Sequence, residues 1–292
     1  MITRIDHVMI AVPDLAAGID AYRRLGFDIE EGGAHAGRGT HNALALNDDD
    51  YLELVAVRDR AEYLAASPGG ALLEYLTRGG GMRYVALQSD DLAGDVAAMR
   101  ARGVDVTDPR DGGRRTPAGV ELRWRIAQLG PSDPLPIFFI QHLTPVAERR
   151  RQFGRVQQHP NGVTHVDRVY IAVSDVTKEA AVYSRVLGIP VPALVRGNVI
   201  KADMAVFDLG PTGLTIAEPK EPGPAADALA RRGPGPFQAL YRTRSMDAAA
   251  RWMVEHGLPE PARGIRNTGE HAMLVGPEHA CGAWIAFVGP PA

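Results

Sequence analysis

The stretch RIDHVMIAVPDL, residues 4–15, returns past the middle of the chain as HVDRVYIAVSDV, residues 165–176. Asp6–Leu15 and Asp167–Val176 are identical at six of ten positions. The exchange that matters chemically is His7 for Arg168. A neutral imidazole has a lone pair to offer a metal, whereas a guanidinium stays protonated and has none.

Read outward, each copy opens a longer unit. Asp6–Val12 alternates and is rich in β-formers, so it predicts a strand. Asp14 is placed to cap a helix on which Leu15, Ile19 and Tyr22 form one stripe, and Gly26 ends it. Three apolar stretches follow, at Phe27–Glu30, Asn42–Leu46 and Tyr51–Val57. The second copy repeats the order: strand Val166–Val173, helix cap Asp175, helix stop Gly188, strands Ala205–Leu209 and Leu214–Ala217. Fainter copies fill the gaps. One starts at Met82–Leu87 and closes at Ile137–Gln141; the other starts at Phe237–Tyr241 and closes at Ala283–Val288. The chain thus predicts an α+β fold of four βαβββ modules. One helix cannot cover both faces of a short sheet, so modules must pair. Two pairs give two cup-shaped domains, 1–145 and 160–292, joined near residues 145–160.

Composition sets wide bounds. The 292 residues are 45% hydrophobic and 23% charged, enough to bury a core. A net charge of −3 draws the chain neither to nucleic acid nor to an anionic membrane. Three of the 32 basic residues are lysines, Lys178, Lys201 and Lys220. The run Glu148–Arg151 reads as a solvated linker helix. Cys281 is the one cysteine and has no partner for an internal disulfide, so it reads as a small core or loop residue in a reducing compartment. No signal peptide and no apolar membrane span are evident, which predicts a cytoplasmic protein. Neither a G-x-S-x-G elbow nor an H-E-x-x-H helix occurs.

The modular pattern resembles the vicinal-oxygen-chelate superfamily of glyoxalases, bleomycin-resistance proteins, fosfomycin-resistance enzymes and extradiol dioxygenases. In detail the N-terminal half resembles the uncharacterised glyoxalase-like domain family. The matching residues are Ile5–Val8, His35–Asn42, Tyr51–Leu54, Pro136–Gln141 and His159–Gly162. The resemblance implies that paired modules curl into a cup whose inner face carries the site. His7 would be the inward residue of the first strand and Glu53 that of module one's last strand. A histidine and a carboxylate meeting there suit a divalent metal such as Fe, Mn, Ni or Zn, which could polarise a carbonyl or hold two adjacent oxygens. Glu53 is also the candidate base, because a carboxylate in an apolar strand costs several kcal/mol if it is buried without a partner.

Counting from Leu15 against Leu92 makes Tyr84 the module-two counterpart of His7. Phe139 or Gln141 is then the counterpart of Glu53, and Gln141 is the candidate third ligand, since glyoxalases of the superfamily use glutamine. His35 lies in a Gly-rich loop to which Gly37 and Gly39 lend mobility, and it is a candidate lid or substrate contact. His41 and Asn42 are adjacent on a strand, so one of them can face the cup; His41 is the candidate. Arg123 and Arg125 share a face, and Arg125 is the candidate for binding a carboxylate. His142, of opposite parity to Gln141, is left outside. In the second half the counterparts are Arg168, Thr215 and Gln238, a degenerate cup unable to hold a metal.

Two readings follow. The first is a metal-dependent lyase, isomerase or dioxygenase acting on a small oxygen-rich molecule in the N-terminal cup. The second is a metal-free binding or sequestering protein. A third ligand beside His7 and Glu53 favours the first; a dry aromatic cup around Tyr84 and Phe139 favours the second. Either partner is a small molecule, and a monomer or homodimer suffices.

Overall fold

The structure, a computed structural model, describes residues 1–116 and 119–290. The first module comprises β1 (Ile2–Ala11), α1 (Leu15–Arg24), β2 (Glu30–His35), β3 (Thr40–Leu46) and β4 (Tyr51–Val57). Short helices α2 (Arg60–Ala66) and α3 (Ala71–Thr77) lead to the second module. It comprises β5 (Gly81–Ser89), α4 (Leu92–Ala101), β6 (Arg110–Arg115), β7 (Glu121–Gln128) and β8 (Ile137–His142). After α5 (Val146–Arg149) comes the third: β9 (Val163–Ala172), α6 (Val176–Leu187), β10 (Val195–Gly197), β11 (Ala202–Leu209) and β12 (Thr212–Pro219). Then α7 (Pro224–Arg232) precedes the fourth: β13 (Gly235–Thr243), α8 (Met246–Glu255), β14 (Ala262–Ile265), β15 (His271–Val275) and β16 (Trp284–Val288). Every module starts its helix the same way. Asp14, Asp91, Asp175 and Ser245 each accept a backbone N–H from the first turn, which satisfies a donor the helix leaves free.

The strands form two curled eight-stranded sheets of identical topology, ordered β2-β3-β4-β1-β5-β8-β7-β6 and β10-β11-β12-β9-β13-β16-β15-β14. In each sheet the first strands of two modules pair antiparallel at the centre, and each also pairs parallel with its own module's last strand. Alternation divides the residues between faces. Val8, Ile10, Leu52, Leu54, Val85, Leu87 and Phe139 are buried in the main core, where the helices pack. Met9, Glu53, Val55, Phe138 and Ile140 line the cup.

One apolar core runs through both halves, including Phe27 against Tyr241 and Phe287. The segment His159–Gly162 straps the halves together. His159 Nδ1 accepts Asp28 N–H and its Nε2 donates to Leu46 O, while buried Asn161 donates to Leu25 O and accepts Val163 N–H. Asp50 accepts from Val166 N–H across the junction and from Arg4 and Asn47, and burial pushes its carboxyl up to about 7.

The C-terminal cup is filled. Ala225 and Ala228 of α7 pack into it against Tyr170, Ala217, Phe237 and Leu240. Arg168 pairs with Asp208 at 2.8 Å, and Thr215 and Gln238 are buried. Among the described residues no helix is long and apolar enough to cross a membrane.

Candidate functional site

The N-terminal cup encloses a cavity of about 1050 Å³ walled by both of its modules. Its polar centre begins with a bulge. On β1, Ile5 pairs with Leu87 and His7 with Ala86, so Asp6 is an extra residue between consecutive partners. Strict alternation would send neighbours to opposite faces, but a bulge re-aims side chains. Here it lets Asp6, wholly buried, reach two histidines. His7 Nδ1 lies 2.6 Å from Asp6 Oδ1, and His142 Nε2 lies 2.7 Å from Asp6 Oδ2. Burial alone would raise the Asp6 carboxyl, but His142 and His7 outweigh it and hold Asp6 well below the usual carboxylate range. An ionised Asp6 only accepts, so His7 carries its proton on Nδ1 and His142 on Nε2.

That tautomer aims His7 Nε2 at Glu53 Oε2, 3.5 Å away. The ring is fixed by stacking on Tyr51 at 4.3 Å and by an edge contact with Phe138 at 5.5 Å. The other oxygen of Glu53 accepts from Asn42 Nδ2 at 2.6 Å and faces His35 Nε2 at 3.7 Å. Asn42 can sit there because residue 32 is glycine. A second bulge, between Glu31 and Gly33, places Gly32 beside Asn42, where a Cβ would fall 2.4 Å from Asn42 Oδ1. His35 Nδ1 bonds Thr40 Oγ1 at 2.8 Å. Burial lowers the His35 pKa, Arg38 and Arg114 lower it further, and Glu53 pulls it back up.

Glu53, His7, His35 and Tyr84 therefore stand in the cavity wall as the sequence implied. Seven expectations are corrected. Phe139 is wholly buried in the core on the helix side, and its neighbour Phe138 faces the cup. Gln141 is no ligand: it binds Leu92 N–H and Asp90 O at the start of α4. His142, left outside by parity, lines the cavity instead. His41 turns away, and Thr40 and Asn42 on either side face inward. Arg125 pairs with exposed Asp111 at 2.9 Å and forms no part of the wall. Nor is the His35 loop loose. It is a tight hairpin turn whose Gly39 O accepts from Arg58 N–H and Asp59 N–H at the start of α2. The run Glu148–Arg151 is not purely solvated either, since Arg149 lines the cavity and Arg150 pairs with Asp49.

The register also settles the module-two counterpart of Glu53. Met9 pairs with Glu53 and Ala86 with Phe138, so Phe138 holds the equivalent place. The four positions that converge are His7, Glu53, Tyr84 and Phe138. Module two offers a phenyl ring and an exposed phenol rather than two further donors. Among the described residues no three His, Cys, Asp or Glu side chains are arranged to hold a metal ion. His7 Nε2 and His35 Nε2 face opposite oxygens of Glu53, at 3.5 and 3.7 Å, so these three donors are not gathered round one point.

By sequence, residues 5–187 match the glyoxalase-like domain family. No curated protein matches the chain. The fold is similar to a hypothetical protein from Staphylococcus aureus, at TM-score 0.68 and 14% identity over 98% of this chain and 99% of that one. It is similar to a mutant of 4-hydroxymandelate synthase from Streptomyces coelicolor, at TM-score 0.67 and 14% identity over 100% and 94% of the two chains. A Mn(II)-bound glyoxalase from Novosphingobium aromaticivorans superposes at TM-score 0.60 and 14% identity over 98% and 82%.

Proposed function

Because the chain belongs to the glyoxalase-like domain family, we propose that its N-terminal cup, within residues 1–145, is the active site of an enzyme that moves a proton on a small oxygen-rich substrate. Glu53 is the group that takes and returns the proton. The observation that carries this reading is the buried line Asp6–His7–Glu53 opening onto a large cavity. Sequestering a ligand needs apolar walls and a few polar anchors. It does not need a desolvated carboxylate behind a histidine behind a second carboxylate, an array of the kind that clusters at catalytic sites. Aromatic rings line part of the cup, Tyr51, Tyr84, Trp124 and Phe138 among them, but Glu53, His7, His35 and His142 look in beside them.

Asn42 holds one oxygen of Glu53 by donating to it, which leaves Oε2 to accept a substrate proton. A proton on Oε2 faces His7 Nε2, a lone pair in the tautomer that Asp6 imposes. Passing it to Nε2 makes an imidazolium that the Asp6 carboxylate stabilises from behind, by the logic of an oriented base. This proton route runs through Glu53, His7 and Asp6.

The test is proton exchange with solvent deuterium, followed by NMR, over a panel of small 2-oxo and 2-hydroxy compounds. Wild-type protein should exchange the acidic C–H of one class. Glu53→Gln should lower that rate by about 10²–10⁴-fold, the usual worth of a positioned acid–base group. Equal exchange in wild type and Glu53→Gln would remove Glu53 from this role. Binding without exchange in any compound would make the cup a binding site.

A further inference from the structure

The cavity wall holds more guanidinium than carboxylate can answer. Arg114 of β6 reaches in between the halves of the cup. Its Nη1 donates to Gly32 O at 2.9 Å and its Nη2 to Gln152 Oε1, both neutral partners. Arg149, at the end of α5, also lines the cavity, and its Nε is buried without a hydrogen-bond partner. Among the described residues neither makes an ion pair, although Arg150 next door pairs with Asp49. The two cations belong to one wall: the Arg114–Gln152 bond sets Arg114 against the segment that follows Arg149, and Tyr51, the residue stacked on His7, lines the same cavity. Burial also pulls the Arg114 guanidinium below its ordinary range, while Tyr51 and Glu53 push it back up.

A half-buried guanidinium whose hydrogen bonds go to neutral groups, or whose buried N–H has none, keeps charge and donors for an anionic ligand. The missing piece is an anion between Arg114 and Arg149, over Tyr51 and within reach of Glu53. Glu53 already brings one negative charge to the same cavity, which favours a singly charged planar carboxylate over a phosphate dianion. Guanidinium groups match a carboxylate with paired parallel bonds. We infer that Arg114 and Arg149 form the recognition site for the carboxylate end of the substrate, so that this end is held over Tyr51 while the carbon beside it lies against Glu53. This rests on the cup being a substrate site, and not on the role of Glu53 in chemistry.

The probe is 2-oxohexanoate, with its methyl ester as the uncharged control, titrated calorimetrically. Wild-type protein should bind the acid and not the ester. Arg114→Gln and Arg149→Gln should each weaken the acid by about tenfold or more, a factor within reach of a charge-assisted bidentate contact. Arg114→Lys should fall between, having charge but no fork. Arg125→Gln, outside the cavity, should bind as wild type does. Glu53→Gln should bind the acid at least as tightly, because it removes a neighbouring negative charge, so loss of turnover and loss of recognition read out separately. A melting curve should show Arg114→Gln folded, since the glutamine amide can still donate to Gly32 O or Gln152 Oε1. Equal affinity in wild type and both arginine variants overturns the inference. So does an ester that binds like the acid, an acid that does not bind, or inorganic phosphate that binds more tightly than the acid.

Discussion

Asp6→Asn tests the arrangement at its root. The carboxylate accepts from His7 at 2.6 Å and from His142 at 2.7 Å, and nothing of it is exposed. Each charge-assisted bond of this type is worth about 1.5–3 kcal/mol. Asparagine keeps one acceptor oxygen but turns an NH₂ toward the other histidine, which must then change tautomer to receive it. Some bonding survives, so the net loss is about 2–4 kcal/mol, below the ~3–5 kcal/mol of a fully broken buried pair. For a chain of this size that is a fall of roughly 4–16 °C in melting temperature, at about 2–4 °C per kcal/mol. The pH dependence gives a second reading. The Asp6 carboxyl is held below its ordinary value of 3.8 in the folded protein. Its stabilisation is therefore complete above that value and is lost as pH falls through and below it, while the unfolded chain takes up the proton first. Melting curves from pH 7 to pH 3 should show wild type losing ground to Asp6→Asn below about pH 4. A variant that melts within about 1 °C of wild type at pH 7 would refute the account, because a satisfied buried carboxylate cannot be exchanged at no cost.

Phe139→Ala should lose about 3–5 kcal/mol by opening a cavity in the core, whereas Phe138→Ala should cost less stability and change ligand affinity; chemical denaturation beside the calorimetric titration separates them. Gly39→Ala should be strongly destabilising, since φ is +63° and a Cβ would lie 2.2 Å from Tyr63 N, a backbone atom that cannot yield; equal melting temperatures would show that the hairpin is not pinned to α2. Dialysis against EDTA should leave the melting temperature and the proton-exchange rate unchanged, and loss of either that zinc or manganese restores would show a third donor closing on His7 and Glu53.

Much of this was legible in the chain, for a reason that also explains what was not. Alternation and helical stripes report the face a residue lies on, and the repeat reports the modules. Hence the strands, the helix caps, His7 and Glu53 were all within reach. Register is different, because a slip of one residue sends every side chain to the opposite face. The count that made Phe139 or Gln141 the partner of Glu53 was off by one, and that single error excluded His142 while admitting two residues that serve the core and the start of α4. Arg114 lay hidden for another reason. The run Arg110–Arg115 has the composition of a solvated loop, and only its pairing with β7 turns one guanidinium of the run onto Gly32 and Gln152.

Asp6 was hidden by the bulge, yet the repeat carried its signal. Besides the cap pair Asp14 and Asp175, both copies keep one acid, Asp6 and Asp167, while His7 gives way to Arg168. In the second sheet Val166 pairs with Tyr241 and Arg168 with Leu240, so Asp167 is the extra residue of the same bulge. There it faces cations, bonding Arg242 at 2.6 Å with Arg266 at 3.7 Å. The bulged aspartate thus belongs to the backbone of both cups, and what differs is what each cup sets against it. Where the partners are permanently charged arginines, the acid is neutralised in a closed network and α7 fills the space. Where they are imidazoles, the acid fixes which nitrogen carries the proton and turns His7 Nε2 toward Glu53 in the wall of an open cavity. The bulge and its aspartate are thus common to both cups, and what separates the cups is the groups set against that acid, His7 and His142 in one and Arg242 and Arg266 in the other.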